Sequence, residues 1–173
     1  MLIAMAGLPG AGKSTIAEVI GNRLGFPVLS VDPIESAILS AGIDSDQPTG
    51  LAAYLVAESM ADVVLGSGAS IIIDAVNAVD PARDQWTRLA AKHGEKLRFI
   101  EVICSDEQLH HERLDARTKN LAHLPEPTWH QVEQSLDEYS AWTGETAAIP
   151  RITLDSVKPL GELVEQALAF LTD

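Results

Sequence analysis

The amino-acid sequence predicts an α/β domain: a three-layer α/β/α sandwich around a five-stranded, mainly parallel sheet, with a helical lid. Three observations predict it. Short apolar runs alternate with longer helical patterns, as in a sheet whose crossovers are helices. The runs are continuously apolar rather than alternating, as strands buried on both faces require. A glycine-rich turn falls directly between the first run and the first helix. The 173 residues fit one domain spanning 1–173, since domains commonly hold ~100–200 residues.

Leu2-Ile3-Ala4-Met5-Ala6 is an unbroken apolar run ending at Gly7 and reads as the first strand. A helix follows over residues 13–24, with Ile16, Ala17, Ile20 and Leu24 on one face. Residues 28–31 read as a second strand, 34–39 as a short helix and 49–65 as a long one, stopped at Gly66-Ser67-Gly68. The long helix carries Leu51, Leu55, Val56, Met60, Val63 and Val64, which read as its core face. Ser70-Ile71-Ile72-Ile73 is a β-branched third strand. At Asp80-Pro81 an N-cap precedes a first-turn proline, so a helix starts there and runs to about His93. Residues 97–103 form the fourth strand. Ser105 with Gln108, and Thr128 with Gln131, read as capping boxes. Between those two helices, residues 119–127 hold two prolines and read as a loop within a lid of about 113–130. Residues 151–154 are the fifth strand and 159–171 a closing amphipathic helix. No repeat or linker-like shift interrupts the chain.

Composition narrows the function classes. With 46% hydrophobic but only 5% aromatic residues, the core is built from Ala, Leu, Ile and Val. Twelve Lys and Arg against 25 Asp and Glu give a formal charge of −13. That balance disfavours nucleic acid and membrane surfaces as partners. No apolar run reaches the ~18 residues of a membrane span. Residues 1–12 lack a charged leader segment, and Gly7, Pro9 and Gly10 break their apolar stretch. The single cysteine, Cys104, cannot form an intramolecular disulfide, which fits a reducing, cytoplasmic setting. It ends a strand and reads as a core thiol. Nothing in the sequence fixes an oligomeric state.

The motif that decides the class is Gly7-Leu8-Pro9-Gly10-Ala11-Gly12-Lys13-Ser14, a full match to G-x-x-x-x-G-K-[ST] set between a strand and a helix. The placement is what phosphate binding requires. Glycines let the loop curl so that backbone N–H groups converge on phosphate oxygens, and the helix N-terminus adds further donors. Gly7, Pro9, Gly10, Ala11, Gly12, Lys13, Ser14 and Thr15 are therefore the candidate ATP-binding residues. Lys13 bridges the terminal phosphates and Ser14 is a Mg²⁺ ligand.

With Asp32 after the second strand, Ile71-Ile72-Ile73-Asp74 and Arg113 to Arg117, this loop resembles the small P-loop kinases, among them polynucleotide kinase, zeta toxin and chloramphenicol phosphotransferase. The resemblance covers residues 1–119 and continues more loosely beyond. It implies a P-loop NTPase fold and transfer of the γ-phosphate of ATP to a hydroxyl of a small-molecule acceptor. It also implies that Asp32 takes the proton from that hydroxyl. Asp-Pro is equally a helix start, and a cap at Asp32 can still face the cleft. The family's second acid or arginine soon after this aspartate is missing, since Pro33, Ile34, Glu35 and Ser36 follow. That resembles the antibiotic phosphotransferase more; Glu35 reads as an exposed helix residue, with assistance in substrate binding as the alternative.

Asp74, at the end of the third strand, serves either Mg²⁺ through water or the acceptor. Asn77 and Arg83 stand at spacings that resemble the family's substrate-binding segment. Arg113 and Arg117 are four apart on one helix and share a face. With Lys119 they place three of the chain's 12 basic residues in seven positions. They read as lid cations that stabilise charge on the transferring phosphoryl group, with Arg117 also binding nucleotide. The histidines His110, His111, His123 and His130 form no i,i+4 metal pair, and Trp129 and Trp142 read as packing residues. Two other functions compete. One is a kinase of nucleoside or polynucleotide 5′-hydroxyls; the other is an ATP-binding switch module. No guanine-specifying N-K-x-D segment is present.

Overall fold

The computed structural model describes residues 1–117 and 121–172. Their sheet is wholly parallel: β1 (Leu2–Ala6) lies at its centre, flanked by β3 (Ile71–Asp74) and β4 (Leu97–Ile103), with β2 (Val28–Ser30) and β5 (Arg151–Asp155) at the edges. β1 and β3 are buried along their whole length, which explains their unbroken apolar sequences. The register places Ser30 beside Asp74 and Ile103 beside Asp155, so these residues mark the C-terminal edge of the sheet.

Two helical layers cover it. α1 (Lys13–Leu24) and α7 (Leu160–Thr172) pack Ile16, Ile20, Leu163 and Ala167 on Ile3, Met5, Ile100 and Val102. α2 (Val31–Ser40), α3 (Thr49–Gly66) and α4 (Asp80–His93) cover Leu2, Ala4, Ile73 and Phe99 on the other face. α5 (Glu107–Asp115) and α6 (Trp129–Glu138) flank the lid segment. Residues 118–120, and with them Lys119, lie outside the described residues.

The α3 face is a correction. Leu51, Leu55, Val56, Met60 and Val63 are exposed, and the buried row is Ala53, Ala57, Ala61 and Leu65. Because α3 is apolar almost all round, periodicity cannot choose its inner face. The alanine row wins because it lets the helix approach closely while Trp86 and Leu89 of α4 fill the core beside it. By length and composition alone α3, with a mean hydropathy of 1.2, is apolar enough to cross a membrane; here its alanine row docks on the domain.

Two helix starts also differ. Asp80 is inside α4 with Val79 at the cap position, and Asp106 rather than Ser105 caps α5, accepting from the Leu109 N–H at 3.0 Å. The Thr128–Gln131 capping box is present. α2 begins at Val31, so Asp32 lies in its first turn and is not the cap. Pro33 fits there because first-turn N–H groups have no acceptor within the helix.

A carboxylate fastens the chain after α6 to the sheet. Glu101 of β4 accepts from Thr153 Oγ1 at 2.7 Å, Tyr139 Oη at 2.9 Å and Trp142 Nε1 at 3.0 Å. Burial works against its charge, but these hydrogen bonds and the nearby Arg151 outweigh it and hold the carboxyl below its ordinary pKa. A depressed carboxylate stabilises the fold above its unfolded pKa of ~4.3 and loses that contribution as pH falls through the folded value. Glu101→Gln is therefore expected to cost roughly 1–3 kcal/mol at pH 7. Urea denaturation over a series of falling pH checks this: the gap between variant and parent narrows as pH falls through the depressed pKa of the folded carboxyl.

Candidate active site

The turn between β1 and α1 is shaped by three glycines with positive φ: Gly7 at +130°, Gly10 at +81° and Gly12 at +98°. A Cβ on Gly7 would lie 2.1 Å from the Val102 carbonyl oxygen, so only glycine lets the chain leave β1 against β4. The Gly7 N–H donates to the Val76 carbonyl at 3.0 Å, which ties the turn to the segment after β3. Lys13, almost fully buried, curls back and donates from Nζ to the Leu8 carbonyl at 2.9 Å. The α1 N-terminus has no side-chain cap, so its first N–H groups are left for a ligand.

This turn forms the floor of a cleft of about 600 Å³ at the C-terminal edge of the sheet. Pro9, Gly10, Gly12, Lys13, Ser14 and Thr15 line it. Gly7 and Ala11 are buried and do not line it; their N–H groups donate to the Val76 and Leu8 carbonyls, and they shape the loop. Asp32 and Asp74 line the cleft, as do Arg113 and Arg117. Arg117 Nη2 donates to Asp32 Oδ2 at 2.8 Å, and its Nε lies 3.0 Å from Glu126 Oε2. Arg113 donates to Ser156 Oγ at 2.8 Å and to the Ser156 carbonyl at 3.0 Å. Asp74 is buried to all but 4%, and Oδ2 accepts from Ser30 Oγ at 2.9 Å.

The donor set fits a nucleoside triphosphate. The turn offers backbone N–H groups, the buried Lys13 adds a cation, and at Gly10 a Cβ would press on His110 at 3.1 Å, so the cradle tolerates no side chain there. Ser14 and Asp74 supply the hard oxygen ligands that Mg²⁺ prefers.

Asn77 and Arg83 do not reach the cleft, which corrects their reading as substrate residues. Both are fully buried. Asn77, at φ +48°, donates from Nδ2 to the Met5 carbonyl at 2.6 Å and accepts from Trp86 Nε1 at 2.9 Å. Arg83 donates to the carbonyls of Asn77 and Ala78, both at 2.8 Å, and of Ser140 at 3.0 Å, with its guanidinium 4.0 Å from the Trp142 ring centroid. They brace the turn that follows Asp74. Tyr54 completes that brace by accepting the Asn77 N–H at 3.1 Å. Burial, reinforced by the charges of Asp32 and Asp74, raises its hydroxyl pKa to about 12.

Sequence reasoning missed or ranked low other residues of the cleft. Glu35, read first as an exposed helix residue with substrate binding as the alternative, lines it and is held by Thr49 Oγ1 at 2.8 Å; its position one turn beyond Asp32 was the available signal. Glu126 stands in the proline-bounded segment. His110 Nε2 lies 2.7 Å from the Pro9 carbonyl, joining α5 to the loop, with Trp129 edge-on to its ring. Ser156 and Lys158 come from the turn after β5, which only the sheet order brings here. Cys104 is half-buried beside Arg113, 3.8 Å from Nη1, and not in the core. Among the described residues no group of three or more His, Cys, Asp or Glu forms a metal cluster.

The chain belongs to the AAA domain family, whose model matches residues 2–140. Over 115 residues it is 33% identical to an uncharacterized protein of Mycobacterium tuberculosis, covering 60% of this chain but 23% of that protein. It thus spans about a quarter of that relative's length. It is 27% identical to an adenylate kinase of Methylobacterium radiotolerans over 99% of this chain and 96% of that one. A sugar kinase from Janibacter superposes with a TM-score of 0.72 at 20% identity, covering 99% of this chain and 94% of the other. A gluconokinase from Sinorhizobium meliloti gives 0.69 at 22%, covering 98% and 90%. The fold is that of the small P-loop kinases.

A bracing role for Arg83 makes Arg83→Met a stability variant. Stranding its carbonyl partners is expected to cost roughly 3 kcal/mol or more. Chemical denaturation checks this; a variant as stable as the parent contradicts the bracing role.

Proposed function

We propose that this protein transfers the γ-phosphoryl group of ATP to a hydroxyl of a small molecule, with Asp32 as general base. The observation that carries this reading is that Asp32 shares one cleft with Lys13 and the phosphate-binding turn and is met there by Arg117. ATP bound with Mg²⁺ supplies the phosphoryl group and an ADP leaving group. Backbone N–H groups of the turn and Lys13 hold its phosphates, and Ser14 and Asp74 hold the metal. Asp32 accepts the acceptor's hydroxyl proton as that oxygen bonds to phosphorus and the bridging P–O bond breaks. Base assistance of this kind is worth ~10²–10⁴-fold in rate. Arg117 exchanges Asp32 for the phosphoryl oxygens, which frees the base and neutralises charge at once. Arg113 secures the turn at Ser156, and from that side of the cleft its charge adds to the same field. Leu121, Leu124, Pro125 and Pro127 line the lid side and exclude water.

A formal charge of −13 and the carboxylates in the cleft weigh against a polynucleotide acceptor. A cytoplasmic setting, where ATP and magnesium are at hand, suits this chemistry.

Calorimetry and transfer from labelled ATP to a panel of hydroxyl compounds test the reading. Lys13→Ala is expected to lose ATP·Mg²⁺ binding. Asp32→Asn is expected to keep it while transfer falls ~10²–10⁴-fold. Absence of ATP binding by the parent ends the proposal, and full transfer by Asp32→Asn removes Asp32 as the base. A product-free ATPase whose partner binding follows the nucleotide state marks a switch module instead.

A further inference from the structure

Resting on the phosphotransfer reading, we infer that the acceptor is not an anion: it is a polyol or amino alcohol that gives its reacting hydroxyl to Asp32 and a second donor, hydroxyl or ammonium, to Glu35. The cleft runs across the sheet edge, from α2 beside β2 to the turn after β5. At the β5 side Ser156 comes within 3.7 Å of where a Cβ on Gly12 would sit, and Arg113 and Lys158 supply positive charge there. At the α2 side the charged lining is carboxylate: Asp32, Glu35, Asp74 and Glu126. Among the described residues the cation there is Arg117, and it already meets both Asp32 and Glu126. Glu35, in contrast, meets no cation among the described residues, so a carboxylate, sulfate or phosphate on the acceptor would lie against its charge, a repulsion that water in an open cleft screens but a closed lid does not.

Glu35 differs from the other three acids. Asp32 faces the transfer, Asp74 is tied to Ser30, and Glu126 meets Arg117. Glu35 follows Asp32 by three residues on α2, so the two side chains start ~5–6 Å apart on one face. The buried Thr49 donates to Glu35 Oε1, which fixes the carboxylate and leaves Oε2 for a donor on the ligand. The apolar lid residues Leu121 and Leu124 then cover the acceptor's carbon frame. The gluconokinase relative carries in its name an anionic sugar acid, the class of acceptor this lining rejects.

The test uses the full chain loaded with a non-hydrolysable ATP analogue and Mg²⁺, and three probes of one carbon skeleton: glucosamine, glucose and gluconate. Thermal shift and calorimetry read binding, so the result does not need turnover. The expected order is glucosamine, then glucose, with gluconate at least about tenfold weaker than glucosamine. Glu35→Gln keeps an oxygen for Thr49 and removes the charge; it is expected to flatten the preference between the amine and the acid. Gluconate binding as well as glucosamine overturns the inference, as does an unchanged preference in Glu35→Gln or no binding by any probe. If the analogue itself fails to bind, the phosphotransfer reading has failed. If the probe order appears with no phosphate transferred, transfer has failed and the acceptor chemistry stands.

Discussion

β1 can end in an open, amide-lined turn because position 7 has no side chain. A Cβ there would stand 2.1 Å from the Val102 carbonyl oxygen, closer than any relaxation of a buried parallel sheet can relieve. With glycine in place the chain turns over β4, and its N–H reaches the Val76 carbonyl at 3.0 Å. One residue thus fixes three strand ends relative to each other: the phosphate turn after β1, the wall at Val102, and the segment after β3 that carries Asp74. A parallel sheet collects all its loops at one edge, so this local constraint sets the geometry of the whole cleft.

The lid is organised by α5 and the residues just past it: α5 ends at Asp115, so Arg117 is not on one helix with Arg113 as its spacing suggested, but follows the helix end. His110, Arg113 and Arg117 are spaced by three and four residues, and each reaches a different part of the sheet edge. His110 meets Pro9 in the phosphate turn, Arg113 meets Ser156 after β5, and Arg117 meets Asp32 on α2. A displacement of α5 is therefore felt at both ends of the cleft and at its floor together. The arginine spacing was legible in the sequence, but the partners were not. Ser156 is 43 residues from Arg113 and Asp32 is 85 from Arg117, and only the strand order closes those gaps.

The same division runs through the rest of the molecule. Strands, helices and the phosphate turn were readable because local chemistry dictates them: buried β-branched runs, glycine at positive φ, lysine at a helix start. α3 was misread in its orientation because its composition is apolar on every side, and shape rather than hydrophobicity selects the alanine row. The caps at Asp80 and Ser105 failed for a different reason. Asp80 has a better offer than its own helix, accepting from Thr143, Arg83 and Thr146, so its carboxylate is drawn outward. Glu35 was ranked as an exposed residue over a substrate-binding one because a carboxylate on a helix is usually solvated; Thr49, from the next helix, is what holds it at the cleft.

Asn77 and Arg83 carry the argument one step further. Spacing placed them near the site, and they are near it, but in a supporting position. Asp74 is buried to all but 4%, and burying a polar group is costly unless it is hydrogen-bonded. Ser30 supplies one hydrogen bond, and the turn beyond it is held by Asn77, whose backbone and side chain engage Met5, Tyr54, Trp86 and Arg83. Arg83 in turn binds the Ser140 carbonyl, so this brace joins the chain that Glu101 anchors through Tyr139 and Trp142. Asn77, Arg83 and Glu101 thus form a connected support beyond the turn that follows Asp74. Side chains whose spacing suggests substrate contacts instead brace the turn that follows Asp74.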